Sequence, residues 1–238
     1  MSADGEAALA TGDSRVAMVV YRLIRSLTRR ILRPYLRVRV RGSLTLDGPV
    51  IVAPVHRSHL DSLLLSTVTT RRLRALGKAS LFEIPVIGWI VAALGAVPVE
   101  RGTADREAIR LSQLILDRGE AYLVFPEGTR RTGPEVAEVF DGVAFLASRT
   151  GAPIVPIGIA GTDTAMPPDA RFPRRDHVSI VVGEPIAAPT SETGRVPRSE
   201  LRRVTGELQE QLRSVMDEAH AERDRRSTAA PAYGKIPR

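Results

Sequence analysis

Four short runs of apolar, largely β-branched residues recur along this chain, each bounded by turn formers and separated from the next by helical patterns. Val50-Ile51-Val52-Ala53 lies between Gly48-Pro49 and Pro54; Ala121–Phe125, Ile154–Ile159 and Val178–Val182 follow. Runs this short with no polar alternation suit strands covered on both faces. Residues 58–68, 104–118 and 142–150 read as helices. Asp105 and Glu107 open the second, and Gly119 and Gly151 close the second and third. A longer, polar-faced helix is predicted over 198–219. Strands alternating with helices imply an α/β fold with a largely parallel central sheet flanked by helices. Val38–Leu46 reads as a further strand. Ile84–Val99 is apolar throughout but spans only 16 residues, too few for a comfortable membrane crossing. It reads as a buried helix leading into a strand, with membrane contact as the alternative.

Composition narrows the function classes. The 238 residues contain no cysteine, which excludes disulfide scaffolds, zinc ribbons and thiol catalysis. No uncharged apolar run reaches the ~18 residues of a spanning helix. The net charge of +7 would suit a nucleic-acid binder, but its distribution argues otherwise. Residues 1–41 hold nine arginines against three acids, and the remaining residues hold 25 basic and 24 acidic groups. With only ten aromatic residues as well, a nucleic-acid partner is not expected. The chain divides into residues 1–13, small and polar and expected to be a disordered lead; 14–41, basic and amphipathic; 42–219, one α/β domain; and 220–238, expected to be a disordered tail.

The basic segment has a helical pattern. At 100° per residue Val16, Val20, Leu23, Ile24, Leu27 and Ile31 fall within about 100° of arc, one face of a helix. Arg15, Arg22, Arg25, Arg29 and Arg33 gather on the other side, and Pro34 is expected to end the helix. An apolar stripe beside arginines suits a helix lying in the plane of an anionic membrane surface. An ordinary amphipathic helix packed on the core is the plainer alternative.

Two loops that follow strands carry the chemistry-bearing residues. In Pro54-Val-His56-Arg-Ser-His59-Leu-Asp61, His56 sits in a loop and Asp61 in the first turn of a helix. Loops at the carboxyl ends of strands are where sites form in open α/β sheets. Asp61 folded back onto one imidazole nitrogen would fix the tautomer and leave the other nitrogen to accept a proton. Ser58-x-x-Asp61 also fits a capping box, and His56, His59 and Asp61 a partial metal site. The second loop is Phe125-Pro126-Glu127-Gly128-Thr129-Arg130, a tight turn with a carboxylate and a guanidinium. Arg130 suits bidentate recognition of phosphate, or Glu127 and Arg130 form a local ion pair. Arg101 lies at another strand end, and Lys78 is the only lysine before Lys235.

The ordered set His56-x4-Asp61, Arg101, Phe125-Pro-Glu-Gly-Thr-Arg130 and Val155-Pro-Ile-Gly-Ile159 resembles the four motifs of the glycerolipid acyltransferases, the 1-acylglycerol-3-phosphate acyltransferase type. The resemblance spans about residues 35–190. It implies that His56 is the general base for a glycerol hydroxyl and that Asp61 orients it. Backbone N–H groups near the motif would stabilise the oxyanion. Lys78, Arg101, Glu127, Gly128, Thr129 and Arg130 would form the acceptor site, with Glu127 holding the pocket together or touching the acceptor. The resemblance also implies acyl-CoA as co-substrate, with acyl-acyl carrier protein as the alternative donor, and neither cofactor nor metal. Lysophosphatidic acid is the implied acceptor. Other acceptors on the same chemistry are glycerol-3-phosphate, a lysophospholipid or a glycolipid hydroxyl; a non-catalytic membrane-surface protein is the reading outside the enzymes. Arg15, Val20, Arg22, Leu23, Arg25, Leu27, Arg29 and Ile31 would dock the protein on the cytoplasmic face of the cell membrane, peripherally or monotopically. Three positions depart from the family pattern: Val55 where Asn often precedes the histidine, Arg131 where Ser often follows the arginine, and Phe140-Asp141-Gly142 where a basic stretch is common.

Overall fold

The computed structural model describes residues 3–100, 105–190 and 196–228. A seven-stranded sheet forms its centre, in the order β1-β7-β6-β2-β5-β3-β4. The strands are β1 (Arg39–Arg41), β2 (Val50–Pro54), β3 (Leu73–Lys78), β4 (Ala96–Val99), β5 (Ala121–Leu123), β6 (Ile154–Ala160) and β7 (Ser179–Val182). Every pairing is parallel except β6 with β7. The fully apolar runs occupy the middle of the sheet: β2, β5 and β6 are buried along their whole length.

Among the described residues nine α-helices connect and flank the strands: α1 (Ala3–Asp13), α2 (Arg15–Leu27), α3 (Arg33–Tyr35), α4 (Leu60–Leu65), α5 (Pro85–Ala93), α6 (Asp105–Asp117), α7 (Gly142–Thr150), α8 (Thr162–Ala165) and α9 (Arg198–Thr228). A π turn over Thr28–Leu32 joins α2 to α3. Helix α6 packs on β3, β4 and β5, α7 on α6 and α9, and α9 on β6 and β7. Gly158 permits the last contact, because a Cβ there would overlap the Val215 carbonyl of α9. The Val-Pro-Ile-Gly-Ile segment is therefore a packing element of the sheet.

Several expectations are corrected. Residues 3–13 form a helix instead of a disordered lead, since Leu9 enters the main core. Asp13 at its end meets Arg72 at 2.6 Å, Arg118 at 2.5 Å and the fully buried Arg74. Burial alone would raise the Asp13 pKa, but Arg74's charge and hydrogen bonds from Arg72, Arg74 and Arg118 hold it below the usual carboxylate range. Pro34 does not end the N-terminal helix: a π turn over Thr28–Leu32 precedes it, and the helical backbone runs on through Arg33–Tyr35. The chain turns three residues later at Arg37, whose φ is 46°. The strand expected over Val38–Leu46 is only three residues long. Helix α9 continues past residue 219 to Thr228, held there by Arg223, which donates to the His177 carbonyl at 3.1 Å and pairs with Asp176. The tail from 229 lies outside the described residues.

Candidate active site

Strand β2 runs between β6 and β5, so its carboxyl end opens at the middle of the sheet edge. Val55 still pairs with the sheet, its N–H donating to the Ile157 carbonyl at 3.0 Å, and its side chain is fully buried. Where the family often has Asn, this chain has a core residue. The chain then leaves the sheet, and His56 emerges with its ring stacked on Phe125, the centroids 3.7 Å apart and the planes 18° from parallel.

His56 Nδ1 lies 3.0 Å from Asp61 Oδ2, with the carboxylate wholly buried and the imidazole 19% exposed. A carboxylate only accepts hydrogen bonds, so Nδ1 carries the proton and Nε2 presents a lone pair. Nε2 has no hydrogen-bond partner among the described residues. The same Asp61 oxygen accepts from the backbone N–H of Arg57 at 2.6 Å and of Ser58 at 2.8 Å. The capping box and the dyad are thus one arrangement: Asp61 closes the turn that leads into α4 and holds the imidazole. Ser58 completes it differently from a standard box, donating to the Met166 carbonyl at 3.0 Å. The N–H groups of Arg57 and Ser58 are committed to Asp61, so the expectation that the motif's amides serve an oxyanion is corrected for these two.

The second loop locks against the first. Gly128, with φ of 69°, closes the turn after β5, and its N–H donates to the Phe125 carbonyl at 3.0 Å. Glu127 points inward. Its carboxylate meets the Arg57 guanidinium at 2.6 and 3.2 Å, and both side chains are essentially inaccessible. It also accepts from the His56 N–H at 3.4 Å and the Ala137 N–H at 3.2 Å. Arg57 spends its other donors on the carbonyls of His56, Gly133 and Glu135. Of the two roles expected for Glu127, its burial fits holding the pocket together and not facing an acceptor, and the ion pair expected with Arg130 is corrected to one with Arg57. A buried pair this fully hydrogen-bonded satisfies the condition under which paired charges are tolerated inside a protein.

Gly128, Thr129 and Arg130 are exposed at the tip of the turn. Arg130 meets Nε2 of His59, also exposed. Burial, then the Arg130 charge, lowers the His59 pKa. His56, His59 and Asp61 do not converge on a metal position. Lys78 is exposed at the end of β3, the strand next to β5 and parallel to it, which places it at the same edge of the sheet. Arg101 lies outside the described residues. Arg57 and the Phe125 ring escape a reading of spacing, because their partners lie about seventy positions away; the only trace is that Arg57 interrupts a His-x-Ser segment.

The N-terminal helix is built the other way round. Its inward face is Ala17, Tyr21 and Thr28, small or polar residues. Its apolar stripe is turned outward, with Val16 64%, Leu23 56% and Ile31 63% exposed. Val19 and Leu27 are exposed too, while Val20 is half-buried. Arg15, Arg22 and Arg29 are exposed, but Arg25 turns inward and donates to the carbonyls of Ser66 at 2.8 Å and of Thr69. The expectation that Arg25 belongs to a docking face is thus corrected. Helix α5 packs beside α2 and exposes Ile84 at its N-cap, then Val86, Ile87 and Ile90. Among the described residues no helix is long and apolar enough to cross a membrane.

A family model described as Acyltransferase matches residues 37–160. The chain is 27% identical over 159 residues to 1-acyl-sn-glycerol-3-phosphate acyltransferase LPAT1, chloroplastic, of Arabidopsis thaliana, covering 64% of this chain and 44% of that protein. It is 24% identical over 192 residues to the 1-acyl-sn-glycerol-3-phosphate acyltransferase of Escherichia coli K12, covering 79% of this chain and 74% of the relative. The crystal structure of the 1-acyl-sn-glycerophosphate acyltransferase PlsC from Thermotoga maritima superposes with a TM-score of 0.68 at 25% identity, covering 88% of this chain and 85% of that one. This chain spans less than half the length of its plant and algal relatives.

Proposed function

This chain belongs to the Acyltransferase family, and we propose that it transfers a fatty acyl group from an acyl thioester to the free hydroxyl of lysophosphatidic acid, giving phosphatidic acid. The observation that carries this reading is the His56–Asp61 pair at 3.0 Å with the Nε2 edge of the imidazole left free. His56 Nε2 takes the proton of the acceptor hydroxyl as the oxygen forms its bond to the thioester carbonyl carbon. The tetrahedral intermediate then collapses, the carbon–sulfur bond breaks, and the imidazolium returns its proton to the departing thiolate. Asp61, buried beside Nδ1, stabilises that imidazolium and sets which nitrogen reacts. The ester forms directly, with no acyl-enzyme.

The Glu127–Arg57 pair is a positioning element: it fixes the two loops against each other and leaves the exposed tip of the turn to the substrate. Arg130, with Lys78 at the neighbouring strand end and Arg101 beyond β4, binds the acceptor phosphate. Acyl-CoA is the proposed donor. The outward apolar stripe of α2 supports peripheral attachment to a membrane, which is where an amphiphilic acceptor resides, and we place the enzyme on the cytoplasmic face. An acyl-transfer assay with an acceptor panel tests the reading. Lysophosphatidic acid is expected to give the highest kcat/KM. A higher value with glycerol-3-phosphate or a head-grouped lysophospholipid contradicts the acceptor, and no transfer from acyl-CoA or acyl-acyl carrier protein to any acceptor contradicts the activity.

A further inference from the structure

Where the membrane-facing helix runs into the sheet, its arginines converge. Arg29 comes from the π turn, Arg33 from α3, Arg37 from the turn after it and Arg39 from β1, while Arg226 arrives from the last turns of α9. With Pro34 and Val38 they line a surface pocket of about 470 Å³. The neighbouring acids form their ion pairs elsewhere, although the charge of Glu222 also acts on Arg226. Glu218 pairs with Arg41 at 2.9 Å, Asp176 with Arg223 at 3.1 Å and Glu222 with Arg225 at 2.8 Å, all arginines outside the pocket. Among the described residues none of the five forms an ion pair. Burial, then the charge of Arg29, lowers the pKa of Arg33, and burial, then Arg39, lowers that of Arg226. Arg226 donates to the Arg37 and Val178 carbonyls, and Arg37 meets His177 Nε2 at 3.0 Å. The guanidinium groups of Arg29, Arg33 and Arg39 have no hydrogen-bond partner among the described residues.

Five guanidinium groups around a concave surface, none of them ion-paired among the described residues, call for an anion with several oxygens. The surroundings specify which anion. Ile31 and Tyr35 belong to the same helical turns as Arg33 and Pro34, and both are exposed as the continuation of the apolar stripe. On the membrane-surface reading, the outward apolar stripe of α2 brings this end of the helix to a bilayer, where the anion at hand is a phospholipid headgroup. We propose that this pocket binds the phosphate headgroup of an anionic phospholipid and so fixes the orientation of the protein on the bilayer. The proposal rests on the membrane-surface reading above and adds to it a discrete site, built partly from the far end of the chain.

Flotation with phosphatidylcholine vesicles, with and without phosphatidylglycerol, tests it. Arg29→Gln/Arg33→Gln/Arg39→Gln removes three pocket charges that hold nothing in the fold. Arg15→Gln/Arg22→Gln/Arg30→Gln removes three exposed charges from the same helix outside the pocket. The pocket variant is expected to lose roughly a hundredfold in partition to the phosphatidylglycerol vesicles, and the control no more than roughly tenfold. Equal losses overturn the site in favour of a diffuse surface field. Competition by inorganic phosphate at the concentration of accessible phosphatidylglycerol overturns the lipid headgroup in favour of a soluble anion. Wild-type protein that floats with neither vesicle overturns the membrane reading itself. Because the readout is binding, loss of the acyl-transfer reading leaves each result interpretable.

Discussion

The loop after β2 and the helix α2 treat charge and hydrocarbon in opposite ways. Around His56 the protein takes Arg57, Asp61 and Glu127 out of water and satisfies them with each other and with backbone groups. Along α2 it turns small and polar residues to the core and leaves Val16, Val19, Leu23, Leu27 and Ile31 in the open. Buried charge and exposed hydrocarbon are both unfavourable in water. The first is compensated within the molecule, so it rigidifies a site. The second has no compensating partner among the described residues, so it points to an environment outside them. Changes in the first region should therefore act on turnover or folding, and changes in the second on membrane attachment alone.

The largest break should come from Asp61→Asn. The amide keeps an oxygen for the Arg57 and Ser58 N–H groups but loses the charge that stabilises the His56 imidazolium, so turnover should fall on the order of 10²- to 10⁴-fold while the fold survives. Retention of normal turnover would detach the dyad from the chemistry. Glu127→Ala strands the Arg57 guanidinium in the interior and should cost about 3–5 kcal/mol of stability, read by denaturant unfolding. A loss under about 1 kcal/mol would show that the pair is solvated in solution. Leu23→Asp should weaken vesicle binding by roughly ten- to a hundredfold, the worth of one inserted leucine, and shift stability by less than about 0.5 kcal/mol. Deleting residues 1–33 would confuse the two regions, since Leu9 and Asp13 anchor α1 to the sheet side of the molecule. Arg130→Ala should raise the acceptor KM roughly tenfold, the loss of one charge-assisted hydrogen bond, with kcat little changed.

The smallest effect concerns pH. The Asp13 pKa is held low by its arginines, so its contribution to stability is present above the ordinary carboxylate pKa and is lost as pH falls through the depressed value. Acid titration of Asp13→Asn beside wild type should show a shallower stability loss in the variant below the usual carboxylate range. Parallel curves would contradict the linkage.

How much was legible in the sequence follows the same division. Strands β2, β5 and β6 announce themselves because both their faces are buried, and the apolar runs are continuous. Strand β3 does not, because Leu73-Arg-Ala-Leu-Gly-Lys78 carries an arginine inside, and the acids that satisfy Arg74 come from α1 and from Glu120. Helix α1 is hidden for the same reason: Ala, Gly and Thr make a weak pattern, and its order comes from docking. The dyad is visible because five positions across a loop–helix junction bring His56 to Asp61. The Arg57–Glu127 pair is not, since only the adjacency of β2 and β5 brings the two together. The stripe of α2 was plain as a period, but the inward turn of Arg25 depends on carbonyls of the loop after α4, and the end of α9 on Asp176 and His177.

Turnover of His56→Ala on an acyl thioester and lysophosphatidic acid tests the account at its centre, measured on protein whose melting transition and vesicle binding match wild type. With His56 as the general base, kcat falls at least about a hundredfold while the protein remains folded and membrane-bound. Near-normal turnover in that folded protein would contradict the assignment of His56 as the general base.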